Sequence, residues 1–233
     1  MKIIAHRSGP TIYPEQTIAS ARLAMDEGAD LVELDVRFTK DKKIAVSHDG
    51  NAKRIFGIDK DISDMSVDEF LSLRHVDNPA YPSHLFEDYL LCGIEPLLIH
   101  IKENDVVDEL LRCIDSHNYS DKVVFGVHNP GVAEKIKEHN PGMKVLAFMP
   151  KVDDIQKFGE SGVNYIRLWE HWTIEENIEL IRKYNKEVWI MTQGSDVGVT
   201  TKENLEKIVD MNVDAILIND IVLLKDILCN NTQ

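Results

Sequence analysis

Glu33 and Asp35 stand one residue apart in the apolar run Leu31 to Val36. A β-strand would present both carboxylates on one face, because strand side chains alternate with a period of two. Two oxygen donors on one face are half of a divalent-metal site. Further on, Arg37-Phe38-Thr39-Lys40, then Asp41-Lys42, then Lys43 to His48 read as a strand, a tight turn and a returning strand. With Asp41-Lys42 as the loop, Lys40 pairs with Lys43, and counting back along the hairpin sets His48 directly across from Asp35. Opposed residues have Cβ atoms roughly 4.5–5.5 Å apart, so the hairpin would carry an imidazole back to the carboxylates. The same segment also reads as an ordinary polar hairpin.

Such a site needs a scaffold, and the rest of the chain describes one. Lys2 to Ala5 is a short apolar strand. Gln16 to Glu27 has helical spacing, with Ile18, Ala21, Leu23 and Met25 as candidate buried positions before a stop at Gly28. A looser insertion follows the hairpin at about 51–85, with a helix expected over Ser66–Leu73 and prolines at Pro79 and Pro82. From Glu87 the alternation is regular: helices over 87–92, 104–117, 130–139, 151–160, 173–184, 201–209 and 220–228 separate strands over 95–101, 122–126, 143–147, 164–168, 187–192 and 213–218. The strands are near-continuous apolar runs, as parallel strands covered by helices are. Gly93, Gly159, Gly162 and Asn212 supply helix stops.

Leaving out the hairpin's return strand, this makes eight strands, each followed by a helix, the pattern of a (β/α)8 TIM barrel within the α/β class. A doubly wound open sheet is the rival, but no glycine-rich dinucleotide fingerprint follows the first strand. An even pattern without a linker favours one domain over residues 1–233. Barrel active sites lie at the carboxyl ends of the strands, and that rim collects His6 and Arg7, Glu33 and Asp35, His48, His100 and Lys102, His128 and Asn129, Arg167 and Trp169, Met191 and Gln193, and Asn219 and Asp220.

A formal net charge of −14 argues against nucleic acid or a stable membrane association, since both reward a basic face. With 43% hydrophobic and 28% charged residues the composition is that of an ordinary soluble globular protein. Cys92, Cys113 and Cys229 are too scattered for a metal cluster or disulfide framework and fit a reducing cytoplasm. No secretory core or run of about 18 apolar residues is present.

His6-Arg7, Glu33-x-Asp35 and Ser47-His48-Asp49-Gly50 together resemble the glycerophosphodiester phosphodiesterase family of (β/α)8 barrels. Pro14-Glu15-Gln16-Thr17 is similar to that family's Pro-Glu-Asn-Thr segment. The resemblance runs through the whole chain, thinning after residue 110. It implies metal-dependent hydrolysis of a small phosphodiester, with His6 and His48 as general acid and base, a role suited to an imidazole's ordinary pKa near 6.5. In the family's scheme a neighbouring glycerol hydroxyl attacks phosphorus, one histidine takes its proton, the other protonates the leaving alcohol, and water opens the cyclic phosphate. Arg7 and Lys102 are the expected phosphate-binding cations. Glu33 and Asp35 are expected to bind Mg²⁺ or Ca²⁺.

The chain also departs from the family. Where a third glutamate is usual, strand 95–101 offers His100, on one face with Lys102, which opens the site to Mn²⁺ or Zn²⁺. Gly126-Val127-His128-Asn129, Met191 and Asn219-Asp220 also differ from the family pattern and bear on substrate identity. Trp169 and Trp172 could line the pocket or pack under a loop. Two rivals stand beside the hydrolase: a lyase that stops at the cyclic phosphate, and a non-catalytic phosphoester-binding barrel. A homodimer remains open.

Overall fold

The computed structural model describes residues 1–230; the last three residues of the expected domain, 231–233, lie outside the described residues. Nine strands form: β1 (Lys2–Ala5), β2 (Leu31–Phe38), β3 (Ile44–Val46), β4 (Leu97–Ile101), β5 (Val123–Val127), β6 (Lys144–Phe148), β7 (Tyr165–Trp169), β8 (Glu187–Met191) and β9 (Ala215–Ile218). Eight of them pair in parallel in the order β1-β9-β8-β7-β6-β5-β4-β2, and the β1–β2 pairing closes the barrel. β3 lies antiparallel on β2. The expected (β/α)8 barrel is the observed fold.

The helices between strands are α1 (Ile18–Glu27), α2 (Lys53–Phe56), α3 (Val67–Leu71), α4 (Phe86–Leu91), α5 (Val107–Ser116), α6 (Pro130–His139), α7 (Ile155–Gly159), α8 (Glu175–Lys183), α9 (Lys202–Asp210) and α10 (Ile221–Asn230). Two are shorter than periodicity predicts, because their first turns tighten into 3₁₀ geometry at Asn104–Val106 and Val152–Asp154. In α1 the buried positions are Ser20, Ala21 and Ala24; of the expected ones Ala21 is buried, whereas Ile18, Leu23 and Met25 are only partly so. Small side chains are needed there because the turn at Gly9 approaches closely, its Cβ position lying 3.1 Å from the Ala24 methyl.

Outward-facing strand residues such as Ile3, Val32, Ile99, Phe125 and Ile166 meet the helices in one continuous apolar layer. Each fully buried aliphatic side chain there contributes about 1.5–3 kcal/mol. Inward-facing Ile4, Leu31, Leu98, Val124, Leu146, Trp189 and Leu217 fill the barrel. At its amino-terminal end Tyr165 stacks on Trp189, ring centroids 4.5 Å apart, and Lys2 lies over both rings. Polar chemistry is thereby confined to the opposite end. The insertion has a small core of its own, in which Ile55, Phe56, Ile62, Met65 and Phe70 pack against Ala45 of β3. Its helix α3 is capped by Ser66 and Glu69 in a capping box, whereas α2, a single turn, carries too little periodicity to be read in advance.

The hairpin register differs from expectation by one residue. Val36 pairs with Val46 and Phe38 with Ile44, so Asp35 lies opposite Ser47, whose N–H donates to the Asp35 carbonyl at 3.0 Å. Thr39 and Lys43 close a three-residue loop with Lys42 left-handed at φ 59. Three-residue hairpins take a left-handed residue at this place, and a lysine does not advertise it. His48 therefore lies beyond the end of β3 and not directly across from Asp35.

Candidate active site

At the carboxyl end of the barrel β2 turns Glu33 and Asp35 inward, each only 1% exposed. The adjacent strand β4 brings His100 alongside, in register with Asp35. One ligand atom from each of Glu33, Asp35 and His100 lies within 4.8 Å of the others, so among the described residues these three could hold a metal ion. Two hydrogen bonds orient the carboxylates. Arg7, left-handed at φ 48, turns its backbone N–H onto Glu33 Oε2 at 2.7 Å. Gln16, itself at φ 58, donates from Nε2 to Asp35 Oδ2 at 2.7 Å. Left-handed backbone costs about 1–2 kcal/mol for a residue with a Cβ, and here it aims two donors at the acids. Thr17 follows as the N-cap of α1, accepting from the Ser20 N–H, so the Pro14–Thr17 segment both starts a helix and supports Asp35.

The fit of a cation follows from counting protons. His128 Nδ1 lies 2.8 Å from the Phe148 carbonyl and must donate to it. Its Nε2 is then an acceptor, and it lies 2.7 Å from His100 Nε2, which must be the donor. Burial holds both histidines down at about 4, hence neutral at pH 7. His100 Nδ1 is thus a bare lone pair, and it faces Asp35 Oδ1 at 2.8 Å and Glu33 Oε1 at 3.6 Å. Asp35 Oδ1 is buried without a hydrogen-bond partner, although Lys102 Nζ lies 3.3 Å away. Acceptors converging without a proton between them are a donor set for a positive ion. Burial and the neighbouring Asp35 push Glu33 up to about 7, while at Asp35 burial is opposed by the Lys102 cation, which favours the ionised carboxylate.

Two further imidazoles reach the same rim. His6 follows β1, and its Nδ1 lies 2.8 Å from Asn219 Oδ1 after β9; the amide oxygen accepts, so Nε2 carries the lone pair. Burial lowers the His6 pKa. His48 Nδ1 lies 2.6 Å from Asp49 Oδ1, and its carbonyl accepts from Arg37 at 2.8 and 3.2 Å. Arg54, on α2 of the insertion, donates to Asp49 at 2.6 Å and to both oxygens of Glu15 at 2.8 and 2.9 Å. Glu15 also pairs with Arg7 at 3.3 Å. This charged chain from Arg7 to His48, not the β-ladder, is what returns His48 to the site. A cavity of about 660 Å³ opens beside it, lined by His6, Arg7, Tyr13, Arg54 and Asn219 among others.

Every expected site residue is therefore at one end of the barrel. Gln16, His128, Asn219 and the Glu15–Arg54–Asp49 chain are additions; His128 and Asn219 stood out as rim residues, but their partners lie in distant segments. Two glycines make room. At Gly126 a Cβ would collide with the Phe148 ring, which stacks on His100 at 4.0 Å and 9°. At Gly198, φ 82, a Cβ would collide with Asn219 Oδ1 and His6 Nδ1. Gly198→Ala is expected to part His6 from Asn219 and lower turnover at least tenfold with a modest loss of stability, measured by kcat and thermal midpoint side by side. Wild-type kcat would contradict it.

The sequence matches the model of the Glycerophosphoryl diester phosphodiesterase family over residues 6–223. It is 25% identical to a glycerophosphodiester phosphodiesterase of Caldanaerobacter subterraneus subsp. tengcongensis, covering 94% of this chain and 93% of that one. It is 28% identical to the human lysophospholipase D GDPD1 over 65% of this chain, spanning about half (52%) of that relative's length. Among solved structures, a glycerophosphodiester phosphodiesterase from Agrobacterium tumefaciens superposes with a TM-score of 0.81 at 21% identity, covering 97% of this chain and 99% of that one. A phosphodiesterase from Oleispira antarctica in complex with the product sn-glycerol-3-phosphate gives 0.86 at 16%, covering 98% and 97%. At these identities the two structures speak for the fold.

Proposed function

Because the chain belongs to the Glycerophosphoryl diester phosphodiesterase family, we propose that it cleaves small glycerophosphodiesters to glycerol 3-phosphate and an alcohol, with His6 as general base and His48 as general acid. The observation that carries this assignment is the contrast between the two imidazoles. The amide oxygen of Asn219 keeps the proton of His6 on Nδ1, leaving Nε2 to accept one from an attacking hydroxyl. Burial lowers the His48 pKa as it does that of His6, but the carboxylate of Asp49 opposes that shift by favouring the charged form, which suits His48 to give a proton to the leaving alcohol.

In this reading the glycerol hydroxyl next to the phosphodiester attacks phosphorus, His6 takes its proton, and His48 protonates the departing oxygen. A cyclic phosphate results, and water opens it with the two histidines in exchanged roles. Arg7 and Lys102 stand on either side of the acids and take the phosphoryl oxygens, Arg7 held by Glu15 and Lys102 by Asp35. Glu33, Asp35 and His100 would hold the metal, a divalent ion of the Mn²⁺ or Zn²⁺ kind as readily as Mg²⁺ or Ca²⁺. Bound there, it supplies positive charge for the phosphoryl group. His100 stands where a third carboxylate would complete an all-oxygen site.

One catalytic domain, working in a reducing cytoplasm, accords with three free cysteines, and no helix among the described residues is long and apolar enough to cross a membrane. The deciding experiment follows phosphorus by NMR during incubation of the metal-loaded protein with glycerophosphocholine and glycerophosphoglycerol. Glycerol 3-phosphate is the expected end product. A cyclic phosphate that persists would make the protein a lyase, and an unchanged substrate a binding barrel.

A further inference from the structure

Arg167 is a cation that the reaction above does not use. It lies in the middle of β7 with its side chain turned into the barrel, 3% exposed. Its Nε and Nη1 are buried without hydrogen-bond partners, and among the described residues no carboxylate pairs with it. Its guanidinium carbon lies 4.0 Å from the centre of the Trp169 ring, 5.2 Å from Phe148 and 6.0 Å from Trp172. Trp172 belongs to the turn after β7, so the guanidinium reaches toward the same end of the barrel as the acids. Phe148 is shared: one ring stacks on His100 and borders Arg167.

A buried guanidinium that lacks an anion is a cost to the fold. Aromatic faces return part of that cost through cation–π contact, but less than an uncompensated buried charge loses. Burial accordingly pulls its pKa down to about 9. Arg7 and Lys102 already have carboxylates as resting partners beside the metal ligands; Arg167 has none, and the Phe148 ring separates it from His100. In the proposed reaction Arg7 and Lys102 take the oxygens of the scissile phosphate, which leaves Arg167 to a different group.

We infer that Arg167, walled by Phe148, Trp169 and Trp172, binds a second anionic group of the substrate, so that the preferred glycerophosphodiesters carry a phosphate or carboxylate on the alcohol being released. The inference rests on the hydrolase reading for its substrate class and on Arg167 alone for the anion. The planar fork of the guanidinium grips either anion through two parallel hydrogen bonds, and the aromatic walls exclude the water that would otherwise compete.

Two measurements test it, one of them independent of catalysis. In EDTA, Arg167→Met is expected to raise the thermal midpoint by about 2–4 °C, since a structural arginine would lower it. Millimolar inorganic phosphate should then stabilise the wild type more than the variant. A lower midpoint for Arg167→Met, or equal stabilisation by phosphate, overturns the inference whatever the enzyme hydrolyses. With metal present, kcat/KM is compared for alcohols ending in choline, in an uncharged glycerol, in a phosphate and in a carboxylate. Wild type should favour the phosphate or the carboxylate, and Arg167→Gln should lower that preference roughly ten- to a hundredfold, mainly through KM, with Arg167→Lys restoring part of it. The better of the two anionic alcohols identifies the ligand. A uniform loss on all four substrates would instead put Arg167 on the scissile phosphate and refute a second anion site. If wild type cleaves none of them, the hydrolase reading fails, and the phosphate-dependent midpoint still decides for Arg167.

Discussion

His6→Ala and His48→Ala are each expected to lower kcat for glycerophosphodiester cleavage by about 10²–10⁴-fold, the usual worth of a general acid or base. Neither should unfold the chain. His48 is half-exposed beyond β3 and its loss leaves the Arg54–Asp49–Glu15 chain in place. His6 is buried, and its loss strands Asn219 Oδ1, at about 1–3 kcal/mol, a few degrees in midpoint for a chain of this size. The two variants should differ in their pH profiles. An enzyme needing His48 charged loses activity as pH rises through that group's pKa. Asp49 raises this pKa against the burial that lowers it, so Asp49→Asn is expected to move the alkaline limb to lower pH, while leaving the acid limb set by His6. A folded His6→Ala or His48→Ala protein with near-wild-type kcat would sink the assignment.

The barrel was legible because it is built from repetition. Apolar runs such as Val123 to Phe125 and Ala215 to Ile218, each followed by a periodic helix, state strand and helix independently of distant contacts. The rule that barrel chemistry sits at the carboxyl ends of strands then selected His6, Glu33, Asp35, His100 and Lys102. What resisted reading depends on backbone handedness or on partners far away in the chain. Lys42 at φ 59 shifted the hairpin register. Gln16 reaches Asp35 only because its own backbone is left-handed. Asn219 meets His6 across more than two hundred residues, and His128 matters only once Phe148 fixes its proton. His48 was located correctly by an argument whose register was off by one; an arginine of the insertion returns it to the rim.

The chain from Phe148 through His128 to His100 makes the metal preference testable in a way the carboxylates alone do not. A neutral imidazole in place of a third carboxylate removes one negative charge from the donor set, which weakens a hard, oxygen-loving ion and favours one that accepts nitrogen. Wild type is therefore expected to bind Mn²⁺ or Zn²⁺ more tightly than Mg²⁺ or Ca²⁺, and His100→Glu to reverse the order. His128→Ala, which removes the acceptor for the His100 Nε2 proton, should weaken binding about 10–100-fold without changing the order, because a partner of this kind orients the ligand and raises its basicity. Protons compete at the same atoms. Glu33 sits at about 7 before metal enters, so a group that must ionise to bind is half protonated near neutrality, and affinity should fall as pH drops below about 7 with one proton released per ion bound. In His100→Glu three buried acids compete for protons, and that fall should begin at higher pH. Calorimetric titration of the four ions at two pH values measures all of this without substrate. An unchanged ion order and affinity in His100→Glu would mean that His100 is no ligand and that Glu33 and Asp35 hold the ion by themselves.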